Sequence, residues 1–161
     1  MLTGAGLRDS VKLNASGKIS SGFSIVRTLA LGADVTSAAR AFMLSLGCIQ
    51  ALKCNSNKCP TGITTLDKDL MFGLDPEEKT NRVYHFQRKT VKAAAGIAGI
   101  MGYEHVSDVN ARDVMRRGQQ SNNNNNNNLL TLADHFPPLS PGCLLEGKGP
   151  AKLQTLWDNA S

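Results

Sequence analysis

The strongest constraint on this chain is a unit that occurs twice. Residues 11–15, VKLNA, are short and partly apolar, and Ser16-Gly17-Lys18 ends them. That predicts a strand followed by a loop. Ser20, Ser21 and Gly22 then offer N-cap choices for a helix carrying Ile25, Val26 and Leu29, with Gly32 placed to end it. Residues 34–38, DVTSA, read as a second short strand. A second helix is expected from about Arg40, carrying Phe42, Met43, Leu46, Ile49 and Leu52. Strand, loop, helix, strand, loop, helix implies parallel strands joined by a crossover helix, and so an α/β fold.

The rest of the chain is less periodic. Residues 62–74 read as loop. Asp75 is placed to cap a long helix, with Pro76 at its first position and Glu78 completing a capping-box-like arrangement. Val83, Phe86, Ala94, Ile97 and Met101 keep helical spacing as far as Gly102. The charged positions of this helix are expected to form a solvated face. Residues 107–116 suggest a further short helix. Seven consecutive asparagines occupy 122–128. Such a tract has nothing to bury and predicts a disordered insertion. The Pro- and Gly-rich stretch after it is expected to drape over a surface. The division that follows is 1–117 as a folded unit, 118–128 as a linker and 129–161 as a tail.

Composition narrows the partners. The chain has 161 residues, 41% of them hydrophobic, which suits one domain with a real core. No apolar run approaches the ~20 residues of a membrane span, and no secretory signal opens the sequence. A cytoplasmic location is therefore expected, where thiols stay reduced and clustered cysteines lean toward metal or catalysis. The formal charge is +5, yet the eighteen Lys and Arg are scattered, without a basic stripe interleaved with aromatics. This argues against nucleic acid but leaves room for a small anionic ligand.

Two places carry candidate chemistry. The first is the pair of strand ends, Ala15-Ser16-Gly17-Lys18-Ile19 and the run from Thr36 to Phe42. Ligands of α/β folds bind at the carboxyl ends of parallel strands, where small residues admit close approach and a helix start offers unpaired N–H groups to phosphate. Arg40 would add a charged fork. Ordinary tight turns would look the same one at a time; the case for phosphate rests on finding two in consecutive units. The second place is GCIQALKCNSNKCPTG, residues 47–62, with Cys48, Cys54 and Cys59 in C-x₅-C-x₄-C spacing. Structural zinc usually takes four ligands, often in close pairs, and no such pair is present. Three thiolates suit a three-iron four-sulfur cluster, and Cys59-Pro60 matches the Cys-Pro that closes ferredoxin runs. Zinc, or three unrelated small buried side chains, remain alternatives on spacing alone.

The segment from VKLNASGKISSGFSIVRTLALGADVTSAARAF through MLSLGCIQALKCNSNKCPTGITT resembles the synthase region of glutamate synthase and the glutamate synthase-related proteins. The resemblance runs from about Gly6 to Arg117 and resumes at LLTLADHFPPLSPGCLLEG. It implies the C-terminal portion of an FMN-binding (β/α)₈ TIM barrel, about strands seven and eight with their helices, carrying a three-iron four-sulfur (3Fe–4S) cluster. By that resemblance Cys48, Cys54 and Cys59 are the cluster ligands. Ser16, Gly17 and Lys18 lie under the FMN phosphate after strand seven. Ala38, Ala39 and Arg40 form the second phosphate turn, after strand eight. Both turns are closer to the related-protein branch than to the amidotransferase-linked enzymes, whose first turn is typically Asp-Gly-Gly. The implied chemistry is reduction of the imine of 2-oxoglutarate and glutamine-derived ammonia to glutamate. A ferredoxin or an NAD(P)H-oxidising subunit would donate the electrons. A whole barrel takes ~250 residues, so a fragment is expected, with the missing N-terminal units as partner and no activity by itself. The competing reading is a non-enzymatic zinc-binding module using the same three cysteines.

Overall fold

The computed structural model describes residues 1–117 and 129–160; the asparagine run lies outside them. The two predicted units are present. Strand β1 (Asn14–Ser16) is followed by helix α1 (Gly22–Ala30), and β2 (Val35–Ser37) by α2 (Arg40–Ser45). The strands pair in parallel, with Asn14 opposite Val35, Ala15 opposite Thr36 and Ser16 opposite Ser37. Diagonally across the two strands, the Ser37 hydroxyl donates to Asn14 Oδ1 at 2.9 Å. The mixed α/β character is as expected. Among the described residues there is no closed barrel, only this pair and a separate antiparallel one.

Helix boundaries follow the local chemistry. Ser21 caps α1, its hydroxyl accepting from the Ser24 N–H at 3.2 Å. At the other end Gly32, at φ +102°, donates to Leu29 O, and Ala33 donates to Thr28 O. These two bonds make a Schellman motif, which satisfies carbonyls the helix leaves open. Helix α2 stops sooner than its apolar spacing predicts. Gly47 adopts φ +103° and the same motif forms, with Gly47 donating to Leu44 O and Cys48 to Met43 O, both at 3.0 Å. Ile49 and Leu52 therefore lie beyond the helix and are exposed.

Further along, the expected loop at 62–74 contains a short helix, α3 (Lys68–Phe72), because the Asp67 carboxylate accepts from the N–H groups of Asp69 and Leu70. Asp75 and Pro76 start α4 (Pro76–Ile100) as predicted, and Gly102 ends it at φ +88°. Glu78 turns its carboxylate to Lys79 and Arg82. The helix expected at 107–116 is instead a 3-10 turn at Val106–Asp108 and a strand, β3 (Met115–Arg117). That strand pairs antiparallel with β4 (Leu129–Thr131). Helices α5 (Leu132–His135) and α6 (Ala151–Asp158) follow. No helix among the described residues is long and apolar enough to cross a membrane.

The core is the contact of α1 with α4. Val26 and Ala30 from α1 meet Ala94 and Ala98 from α4, joined by Val109, Val114 and Leu132. Leu132, beyond the asparagine run, thus shares one core with the first units. Cys143 and Leu144 are buried as well, and the stretch holding them is tied to the N-terminal residues by Gly142 N–H to Thr3 O and Leu144 N–H to Gly4 O. Small side chains let α1 and α4 approach closely. Gly22 sits where an added Cβ would lie 2.6 Å from the Ala94 nitrogen and 2.8 Å from the Ala93 carbonyl carbon. Backbone atoms of a long helix cannot step aside, so Gly22→Val is expected to cost about 3 kcal/mol by overpacking, read as a lower Tm in thermal unfolding.

A second tie fixes the start of both strands. The Asp34 carboxylate accepts from the Leu13 N–H at 2.7 Å and from Arg8 at 2.8 Å, with Lys12 at 3.8 Å. The Leu13 N–H bond, helped by the Arg8 guanidinium, holds this carboxyl below its usual range. A depressed acid stabilises the fold above its unfolded value, ~3.9, and that contribution is lost as pH falls through the lower folded value. Acid unfolding of Asp34→Asn, followed by circular dichroism, is expected to show a shallower loss of stability below pH ~4 than the parent chain.

Candidate functional site

Because β1 and β2 run parallel with Ser16 beside Ser37, both following loops leave from the same end of the pair. They enclose a cleft of about 440 Å³ lined by Ser16, Gly17, Lys18, Ser37, Ala39 and Arg40, with Ile19 and Leu44 as apolar wall. Five of the six residues predicted for phosphate therefore line one cavity; Ala38, the sixth, is not among its lining residues. Gly17 at φ +121° and Lys18 at φ +53° are consecutive left-handed residues. Such a pair turns successive N–H groups in one direction, which suits an anion. Ala39, the N-cap of α2, supplies no side-chain cap, leaving its first N–H groups free for a ligand. Among the described residues neither Lys18 nor Arg40 has a carboxylate partner. Two uncompensated cations beside a cradle of backbone donors can hold a phosphate.

Helix α2 links this cleft to the cysteines. Arg40 is its first residue, and the Schellman motif at its other end sets Cys48. Six residues of helix span about 9 Å. The loop beyond is shaped rather than slack. Gln50, Leu52 and Asn57 all adopt left-handed backbone without being glycine, at about 1 kcal/mol each. Asn57 is held by its own side chain, which accepts from the Leu66 N–H at 2.6 Å, while the Thr65 hydroxyl donates to Asn57 O at 2.7 Å. Gly62 is buried at φ +75°, and a Cβ there would run into the Leu70 carbonyl oxygen.

The three thiols differ. Cys54 is exposed, Cys48 half-buried and Cys59 buried, and none is in a disulfide. Cys48 Sγ accepts from the Gln50 N–H at 3.4 Å. Cys59 Sγ lies 3.3 Å from the Thr61 hydroxyl. That hydroxyl, then the backbone N–H of Thr64, lower the Cys59 pKa to about 6, which favours the thiolate at neutral pH. Soft thiolate donors stabilised by hydrogen bonds are the chemistry that iron–sulfur clusters take. Among the described residues, however, no three His, Cys, Asp or Glu side chains are gathered at metal-binding separation. The three thiols suit a cluster by the chemistry of their donors alone. Sequence reading missed Thr61 and Thr64; the hydroxyl-rich run after Cys59-Pro60 was the available signal.

Comparison with known proteins decides the family. A conserved region in glutamate synthase matches residues 1–104. The chain belongs to the glutamate synthase family. It is 43% identical over 105 residues to the glutamate synthase large subunit-like protein YerD of Bacillus subtilis, covering 63% of this chain and 20% of that protein. It is 34% identical over 102 residues to the archaeal glutamate synthase [NADPH] of Methanocaldococcus jannaschii, covering 62% of this chain and 20% of that one. Over 113 residues it is 31% identical to ferredoxin-dependent glutamate synthase 2, chloroplastic, of Arabidopsis thaliana, covering 69% of this chain and 7% of that one. The chain thus spans about a fifth of the length of the first two relatives. Both the cleft and the cysteine loop fall inside the matched region.

If the Asn57 hydrogen bonds hold the cysteine loop in its left-handed turn, Asn57→Val should release it. The expected result is a loss of about 2 kcal/mol of local protection, read as faster amide exchange at Leu66, with the α1–α4 core unaffected.

Proposed function

We propose that this chain is part of a glutamate synthase-type oxidoreductase, contributing the phosphate end of an FMN site and the ligands of an iron–sulfur cluster. The observation that carries the proposal is the meeting of both strand-end turns in one cleft, with unpaired Lys18 and Arg40 beside it, one short helix away from Cys48. Family membership supports it independently. In this reading β1 and β2 are the seventh and eighth strands of a (β/α)₈ barrel, where phosphate sites commonly form. When bound, FMN and the cluster would supply hydride and single-electron transfer for reducing a 2-oxoglutarate-derived imine to glutamate.

The residues of this chain have defined parts. The N–H groups around Gly17 and Lys18 and at the start of α2 would donate to the phosphate oxygens, and Arg40 would neutralise their charge. Cys48, Cys54 and Cys59 hold iron as thiolates. Thr61 and Thr64 keep Cys59 deprotonated and therefore ready to ligate. Residues that hold 2-oxoglutarate belong to other barrel units, so the isolated chain would bind FMN weakly and would not turn over. Electrons would come from a ferredoxin or an NAD(P)H-oxidising subunit. A free-standing zinc module, the other reading of the same thiols, finds no support in the family match.

Anaerobic reconstitution with iron and sulfide tests the cluster assignment. The expected product is coloured, retains about three iron per chain, and loses both properties in Cys54→Ser. A colourless chain, or iron retention unchanged by that substitution, would sink the assignment. A fluorescence titration with FMN tests the rest: tight one-to-one binding by the isolated chain would show that the cleft needs no other barrel unit.

A further inference from the structure

Thr61, Thr64 and Thr65 follow Cys59 within one turn of chain, and their hydroxyls do different things. The Thr65 hydroxyl is committed to the loop, donating to Asn57 O at 2.7 Å and accepting from the Asp67 N–H at 3.1 Å. Thr61 Oγ1 lies instead 3.3 Å from Cys59 Sγ. The Thr64 N–H acts on the same thiol. The Thr64 hydroxyl is buried and has no hydrogen-bond partner among the described residues. A buried hydroxyl left unpaired is costly, so it stands as a donor in want of an acceptor.

The other two thiols of the loop lack such neighbours. Cys48 Sγ meets a backbone N–H, that of Gln50, and Cys54 is exposed. Either partner of the Thr61–Cys59 pair can donate while the thiol keeps its proton. A thiolate bound to iron has no proton, so there Thr61 must be the donor. Hydrogen bonds count for more where water is excluded, and Cys59 is buried. An electron added to a thiolate-ligated iron site increases the negative charge on its sulfurs. A donor to sulfur therefore stabilises the reduced form more than the oxidised one and raises the potential.

We propose that the hydroxyls of Thr61 and Thr64 set the reduction potential of an iron–sulfur cluster ligated by Cys59, by donating hydrogen bonds to sulfur. This rests on the reading of Cys48, Cys54 and Cys59 as cluster ligands and adds which neighbours tune them. Both threonines are positioning residues that act through Cys59. Shaping the loop does not require their hydroxyls, because Thr65 and the Asn57 side chain already hold it. Reduction brings in one electron, and no bond to a protein ligand forms or breaks.

The test is a potentiometric titration of the full chain, reconstituted anaerobically with iron and sulfide, using dithionite as the electron donor and electron paramagnetic resonance as the readout. Thr61→Val is expected to keep the parental iron content and to favour the oxidised form about tenfold, a midpoint lower by ~59 mV for one electron. Thr64→Val should lower the midpoint in the same direction. Thr61→Ser keeps the hydroxyl and should match the parent. Ser56→Ala removes a hydroxyl of the same loop that donates to Lys53 O, and should match the parent too. Four results each overturn the proposal: an unshifted midpoint in either valine variant, a lowered midpoint in Thr61→Ser, an equal shift in Ser56→Ala, or loss of iron from Thr61→Val, which would make Thr61 an assembly residue. A parent chain that takes up no cluster removes the reading of the cysteines, and this proposal with it. A loaded parent with unshifted variants overturns the proposal alone.

Discussion

The parallel register of two three-residue strands is the constraint on which the candidate site depends. With Ser16 opposite Ser37, the chain leaves both strands at one end, and two loops far apart in sequence close around one cleft. An antiparallel pairing would have sent them to opposite ends. A parallel pair also requires a crossover, which α1 supplies. Asp34 secures the same arrangement from the other side, binding the Leu13 N–H just before β1 and Arg8 before that. Two strands this short could not hold the geometry unaided.

What holds it is packing between α1 and α4. Val26 is fully buried there, a gain of about 2 kcal/mol for one side chain. Gly22, Ala94 and Ala98 keep the helices close enough for the contact to be continuous. The energy gained there sits next to energy spent in the cysteine loop, where three residues other than glycine are held left-handed. Strain of this kind persists only where surroundings over-determine it. The surroundings here are the Asn57 hydrogen bonds and the buried Gly62, both within the segment that carries the thiols.

Helix ends were legible wherever a side chain or a glycine dictates them. Ser21, Gly32, Asp75 with Pro76, and Gly102 all act as their chemistry predicts. The misreadings have separate causes, and at α2 it was apolar spacing followed past a stronger backbone signal. Ile49 and Leu52 continue the period of α2, but Gly47 had already ended it. Asp67 caps α3 as Asp75 caps α4, although no apolar period marks so short a helix. The strand β3 was unreadable at 107–116 because its partner β4 lies across the asparagine run, and pairing between distant segments leaves no local trace.

The sequence by itself determined the local elements, the residues suited to phosphate and the three thiols, because caps, turns and donor chemistry act over a few neighbouring residues. Family membership was legible there too. Only tertiary structure decided that Ser16, Gly17, Lys18, Ala39 and Arg40 face one cavity, that Ala38 does not line it, and that Cys59 is acidified by Thr61 and Thr64. Those facts depend on strand register, helix contact and loop closure, which are properties of distances between segments and not of any segment's composition.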